Sequence, residues 1–403
     1  MTHHEQLAHN PRLLFWSRAF MEVKAMTAVI VLFYLHRGVG LDQIFWLSIV
    51  WSLTALVTEI PTGYLADRIG RKRTLLLGAA LLALSYAGDW FAYGFWEFVP
   101  IFVLMSASFA CFSGTEEAML YESLAELGRE QEMTHRNGQL FSARSLFKMA
   151  LPPVGAWIAQ DLLAWQFQTL IGINALALIV GVACLLALRE PQHRKEVLDT
   201  EVGIFRESLE TIRREPWLLR VAFNKLLVFV AIFLAWRVYQ PLLTGLGMAV
   251  VWLGVFDLLS HLIIFTGSRF LGALDRRFGA SRIIFITAIV TGVSLLLAGF
   301  VQEPWLLFML LLIAIGLGSA REPIFAHMVN EQLSSHSRAT TLSNLNVLKS
   351  FVDIPIMLLG GWLAAQNLHW PLFLGVILCF IAVWVFPQHL LRRHTHSLTR
   401  MPL

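Results

Sequence analysis

Apolar runs of roughly twenty residues, each long enough to cross a hydrocarbon layer about 30 Å thick, recur along this chain from Leu13 to Pro387. Of 403 residues, 57% are hydrophobic and 14% charged, where a soluble protein carries about 25% charged. No soluble core hides that much apolar surface. The runs predict an all-α polytopic membrane protein with about twelve spans, at approximately 12–36, 42–65, 74–94, 97–122, 138–160, 166–188, 217–242, 249–272, 282–301, 304–329, 340–365 and 369–390.

Charge orients these spans. Arg68, Arg71, Lys72 and Arg73, then Arg129 and Arg136, then Arg276, Arg277 and Arg282, fall in alternate connections, whereas Arg37 is nearly alone on the other side. The positive-inside rule therefore predicts both termini in the cytoplasm, as an even number of spans requires. The formal net charge of +4 is scattered over short connections with no interleaved basic and aromatic face, which points to lipid headgroups rather than nucleic acid. The first apolar segment carries Arg18, Glu22 and Lys24 with no small-residue cleavage site after it, so it is expected to stay as a helix rather than serve as a secretory signal. Cys111, Cys184 and Cys379 lie far apart inside predicted spans, the pattern of core thiols rather than of a disulfide framework or metal site.

The apolar pattern stops between about 189 and 216. The expected organisation is an N-terminal six-span half over 1–188, a cytoplasmic linker over 189–216 and a C-terminal six-span half over 217–403. Within the linker, Ile204, Phe205, Leu209 and Ile212 recur at helical spacing, as in an amphipathic helix lying on the inner membrane surface. The halves repeat weakly: Gly63, Arg68, Gly70 and Arg73 match Gly272, Arg277, Gly279 and Arg282 at one offset, as Trp96 matches Trp305. Asp275 is shifted by one position relative to Asp67. Duplication followed by drift accounts for such a pattern in a transporter.

Ionisable groups inside spans cost from a few to over ten kcal/mol unless they find partners or water. In the first span Arg18 and Glu22 are four apart and share a helix face, with Lys24 expected to point elsewhere. The fourth span brings Glu116, Glu117 and Glu122 within two turns. Glu116 and Glu117 stand about 100° apart around the axis, so one of them is expected to face a cavity. Arg144 and Lys148 on the fifth span present a cationic face that can neutralise these acids. The second half carries Lys225 and Arg237, Asp257 with His261, Arg321 and Glu322, and Lys349 with Asp353. Arg237 lies near the outer end of its span beside Trp236 and Tyr239, and Asp257 beside His261 can relay a proton.

One connection is specific. Glu59-Ile-Pro-Thr-Gly63-Tyr-Leu-Ala-Asp67-Arg-Ile-Gly70-Arg71-Lys72-Arg73 joins the second span to the third through a short, glycine-bounded basic turn. It resembles the loop 2–3 signature of the major facilitator superfamily, in the variant whose preceding helix ends Glu-Ile-Pro-Thr-Gly. Ser113-Gly114-Thr-Glu116-Glu117-Ala and Arg338-Ala-Thr-Thr-Leu-Ser343 extend the resemblance over nearly the whole chain. Pro152-Pro153-Val-Gly155-Ala156, with Pro355 and Gly360-Gly361 in the eleventh span, resembles a worn form of that superfamily's antiporter signature.

The resemblance implies two pseudo-symmetric six-helix bundles, alternating access, and a cavity lined by the first, fourth, seventh and tenth spans. It implies a cytoplasmic gate of Gly63, Asp67, Arg68, Gly70, Arg71 and Arg73. Expected sites are Glu22, Glu116 and Asp257 for proton or cation coupling, and Arg18, Phe20, Phe112, Trp236, Arg321 and Phe325 for the substrate. The expected activity is proton-coupled export of a small amphipathic organic compound through the inner membrane, by a monomer among membrane lipids and without a cofactor. The alternative substrate is a metal chelator or other polar metabolite.

Other classes find less support. No Gly-x-x-x-x-Gly-Lys-Ser/Thr run exists for an ATP-driven pump. His4 and His9 flank a Glu5 but stand five apart, on different helix faces, where one zinc ion cannot take both. His389, His394 and His396 read as a solvated tail. No catalytic set for a membrane-embedded enzyme is visible, and the duplicated halves favour a carrier over a channel.

Overall fold

A computed structural model describes residues 2–192, 216–322, 324–325 and 338–385, with the side chains of 145–146, 216–218, 268, 271–276 and 338–351 outside that description. The expected amphipathic segment at 204–212, the C-terminal histidines, and the side chains of Asp275, Arg276, Arg338 and Lys349 therefore lie outside the described residues. Helices account for every predicted span. They are α1 (His3–Met21), α2 (Ile30–His36), α3 (Leu41–Ile69), α4 (Arg71–Phe91), α5 (Phe95–Phe112), α6 (Thr115–Glu126), α7 (Met133–Ile158) and α8 (Ala164–Ala187). The later helices are α9 (Pro216–Gly245), α10 (Val251–Phe278), α11 (Ala280–Ala298), α12 (Pro304–Ser319), α13 (Arg338–Gln366) and α14 (Trp370–Val385).

By length and composition, six stretches cross a membrane unaided: Leu41–Ile69, Arg71–Phe91, Phe95–Glu126, Ala164–Ala187, Leu219–Gly245 and Ala280–Ala298. Shorter apolar helices include Thr27–His36, Pro304–Ser319 and Trp370–Val385. α1 and α7 fall outside both groups because Arg12, Arg18, Arg136, Arg144 and Lys148 dilute their apolar faces.

Three predicted spans are interrupted rather than continuous. The first breaks after Met21, Glu22 caps α1, and helical structure resumes at Thr27. The freed backbone finds other partners, as lipid requires: Ala25 N–H donates to Asn174 Oδ1 on α8 at 2.9 Å. A methyl group on Gly155 of α7 would collide with the Ala25 carbonyl, so the break and this glycine fit each other. The fourth span turns at Ser113 and Gly114, where φ is +71° and only glycine sits without strain. The tenth is broken after Ser319 by a turn at Ala320 and Arg321, with helical structure again at Glu322, Ile324 and Phe325.

The turn between the second and third spans is tighter than its sequence suggests. α3 continues through Gly63 and Asp67 to Ile69, and Gly70 alone separates it from α4. Gly70 has φ +105° and ψ 155°, and Gly279, its counterpart between α10 and α11, has φ +81° and ψ 137°. Both values belong to backbone that side chains rarely tolerate. Further on, α7 runs through Pro152 and Pro153 without a break in its helical span.

Residue contacts divide the chain into two compact units, Met1–Val197 with Ala249–Leu258, and Leu198–Met248 with Leu259–Leu403. In the first, Leu14, Met21, Leu75, Phe112, Leu120 and Leu178 form an apolar core. Gly181 brings α8 within 3.0–3.3 Å, at the position of an added Cβ, of Met21 and the Ser17 carbonyl on α1. Gly254 meets Pro152 and Pro153 of α7 in the same way, which accounts for the start of α10 clustering with this unit. In the second unit, Asn224 on α9 donates to the Ala382 carbonyl on α14 at 2.6 Å, and Gly318 on α12 lies against Ile232 and Thr291.

Candidate functional site

The first unit gathers six of its buried or half-buried charges in one place, with the exposed Lys24 beside them. Arg18 (6% exposed) and Glu22 (7%) pair at 2.7 Å, as their four-residue spacing anticipates. The other nitrogen of Arg18 lies 3.5 Å from Glu116, which is 1% exposed. Lys148 approaches Glu22 at 3.1 Å. Arg144 reaches Glu117 at 2.9 Å and Glu116 at 3.4 Å through the same nitrogen. Lys24 corrects the sequence expectation: because α1 stops at Glu22, the chain turns Lys24 back to 3.7 Å from the Glu22 carboxylate.

Two properties of this cluster matter chemically. Four cations face three acids, so with all groups charged it holds one positive charge in excess. Glu116 also has the weakest grip on its partners, since Arg18 and Arg144 each sit closer to another carboxylate. It is the deeper of the neighbouring acids, Glu117 remaining about one-third exposed at its side chain. Phe112 lies beneath the Arg18 guanidinium at 6.0 Å, and Phe20 packs on Trp16 and Phe147.

The second unit holds a different arrangement. Arg321, 2% exposed just after α12, donates from one Nη to the Asn224 amide oxygen and stacks over Phe325 at 5.1 Å. Its Nε and other Nη have no hydrogen-bond partner among the described residues. Removing a guanidinium from water is costly without a counter-charge. Among the described residues, its hydrogen-bond partner is an amide and its stacking partner a ring, with no carboxylate in direct contact. Glu322, next in sequence, turns to Lys225 instead. Trp236 stands edge-on to Tyr239, and Arg237 lies over Phe233 at 4.6 Å. Asp257, on the part of α10 that groups with the first unit, is fully buried.

At the α3–α4 turn, the expected gate residues separate into a linked set and an open set. Asp67 pairs with Arg71 at 2.7 Å, and Arg71 reaches Glu122 on α6 at 3.0 Å. Arg68 and Arg73 are exposed and have no ionic partner among the described residues, and Gly63 faces open space. The sequence reading missed Glu190, whose carboxylate accepts from the backbone N–H groups of Arg71 (2.6 Å) and Lys72 (2.8 Å) and so caps α4. It also passed over Asp89, an acid 4% exposed inside the third span whose Oδ1 has no hydrogen-bond partner among the described residues. Its only sequence signal is a lone acid near the end of an apolar run. Arg37, nearly alone among the basic residues of its side, is 2% exposed and held between Phe33 and Tyr93.

Long apolar helices, interrupted spans and buried charges define a polytopic membrane protein. The chain belongs to the major facilitator superfamily, whose family model matches residues 14–274. Inner membrane transport protein YajR of Escherichia coli (strain K12) is 27% identical over 179 residues, 43% of this chain and 36% of that protein. The chain thus matches about a third of the length of this curated relative. Among solved structures, nucleoside transporter NupG aligns with a TM-score of 0.73 at 12% identity, over 96% of this chain and 99% of that one. A bacterial homologue of the human lysosomal transporter Spinster, inward-facing and unoccupied, gives 0.69 at 14% identity over 94% and 96%. A D-xylose-proton symporter gives 0.67 at 16% over 95% and 97%. At these identities the likeness is one of fold.

Proposed function

We propose that this chain is a proton-coupled secondary transporter of a small amphipathic organic compound that carries an acidic group. Alternating access would use the halves 1–188 and 217–403, joined by 189–216, in the inner membrane with both termini cytoplasmic and the chain acting as a monomer. One observation carries the substrate class: Arg321 is buried, has an amide as its only polar partner among the described residues, and keeps two donors without a hydrogen bond. An organic anion supplies the missing counter-charge, and Phe325 offers it an apolar face. A metal chelate bearing carboxylates belongs to the same class.

Glu116 is the proton carrier in this reading, ahead of Glu22, which three cations hold. Protonating Glu116 raises the cluster's positive excess by one charge and favours anion entry, so proton and anion bind together. Asp67, Arg71 and Glu122 form the inner gate, with Arg68, Arg73, Gly63 and Gly70 shaping its turn. A second reading, export by exchange, is favoured by the Pro152-Pro153-Val-Gly155-Ala156 pattern. It calls for a cationic substrate that competes with protons for Glu22, Glu116 or Asp257.

A thermal-shift screen with matched organic acids, neutral amides and amines separates the readings. Acids are expected to raise the melting temperature of the wild type and not of Arg321→Met. Stabilisation by amines alone transfers support to exchange, and equal stabilisation by acids and their amides removes the basis for an anion site.

A further inference from the structure

The first unit carries two adjoining cavities outside the charge cluster. One, of about 650 Å³, lies where the N-terminal half of α1 meets the start of α4 and the end of α8 and is lined by His9, Arg12, Trp16, Lys72 and Arg189 among others, with no acidic residue among the described residues of its wall. The other, of about 590 Å³, runs between α4 and α8 along Tyr86, Trp90, Ile171, Leu178 and Ile179. Leu186 lines both, so a cationic mouth continues into an apolar groove. From Leu186 to Ile171 the groove follows α8 for about 22 Å at 1.5 Å per residue, more than one leaflet of the hydrocarbon layer.

The geometry points to a binding site for an anionic phospholipid, its phosphate at Arg12 and Arg189 and one acyl chain along α4 and α8. Charge complementarity singles out this occupant. Lys72 is partly spent, since its Nζ caps α8 through the Leu186 and Leu188 carbonyls at 2.7 and 2.8 Å. Arg12 and Arg189 are exposed and have no ionic partner among the described residues. Arg189 is held in place by its Nε donating to His3 and its backbone N–H to Asn10. Trp16, about 38% exposed, stands at the mouth, where an indole suits the water–lipid boundary. Glu190 already occupies the N-terminus of α4, so the mouth's attraction for anions comes from side chains.

Native mass spectrometry of the full chain with added phosphatidylglycerol, phosphatidylcholine or inorganic phosphate tests the site. Phosphatidylglycerol is expected to remain bound where phosphatidylcholine and phosphate do not. Joint substitution Arg12→Gln and Arg189→Gln is expected to weaken its retention roughly 20- to 30-fold, two surface charges at about 1 kcal/mol each. Ala87→Trp, which fills the apolar groove and leaves the mouth intact, is expected to weaken it as well. Retention of phosphatidylcholine equal to that of phosphatidylglycerol, phosphate binding as tight as the lipid, or unchanged retention in variants that melt like the wild type would each overturn the assignment.

Discussion

The two halves of this chain keep the same turn and spend charge differently. Gly70 and Gly279 occupy matching helix junctions with matching positive φ, although the residues around them have drifted. In the first half the turn is tied by Asp67, Arg71 and Glu122, and the interior charges neutralise one another almost completely. In the second, Arg277 lies over Phe278 beside the turn, and Arg321 rests on an amide. Backbone geometry survived the divergence where it fixes how helices meet, and side-chain charge was free to specialise. In the proposed reading, the first half stores and releases a proton and the second meets an anion.

Opposite stability effects of two similar substitutions are the sharpest check on that contrast. Arg18→Met strips Glu22 and Glu116 of their shared cation and is expected to cost about 3 kcal/mol, toward the low end for a broken buried pair because Lys148 and Arg144 remain. Arg321→Met removes a buried charge that lacks a carboxylate, so its melting temperature is expected to match or exceed the wild type while acid-induced stabilisation disappears. Equal losses of melting temperature in both variants would erase the distinction between the halves.

The shared turn gives the next effect. Gly70→Ala and Gly279→Ala each force a side chain into glycine's backbone region, and each is expected to lower stability by about 1–3 kcal/mol. A loss at Gly70 alone would show that the second turn is not a true counterpart. Smaller still is Asp67→Asn. Its pair with Arg71 is partly exposed and Arg71 keeps Glu122, so stability should fall by less than about 1 kcal/mol. Turnover in proteoliposomes is expected to slow several-fold with substrate affinity nearly unchanged, and a large affinity loss at normal turnover would detach Asp67 from gating.

Lipid makes most of this fold legible in sequence. A helix that must cross about 30 Å announces itself as a long apolar run, and helical spacing alone anticipated the Arg18–Glu22 pair. The cationic face of Arg144 and Lys148 was also expected to meet the acids, as it does, whereas the meeting of Arg71 with Glu122 depends on which helices are neighbours, and no local pattern encodes that. The break after Met21 was hidden for a related reason. The groups that accommodate it, Asn174 and Gly155, lie far along the chain, so Lys24 appeared to face away from an acid it approaches. Asp89 and Glu190 were single acids at span ends, where a snorkelling carboxylate and a buried one look the same in sequence.

The most direct test of proton coupling at Glu116 is transport of an acid from the screen into proteoliposomes, wild type against Glu116→Gln, with and without an imposed pH gradient. The account predicts that the variant loses gradient-driven accumulation and retains gradient-free exchange of the same compound. Accumulation that still follows the pH gradient in Glu116→Gln would contradict it.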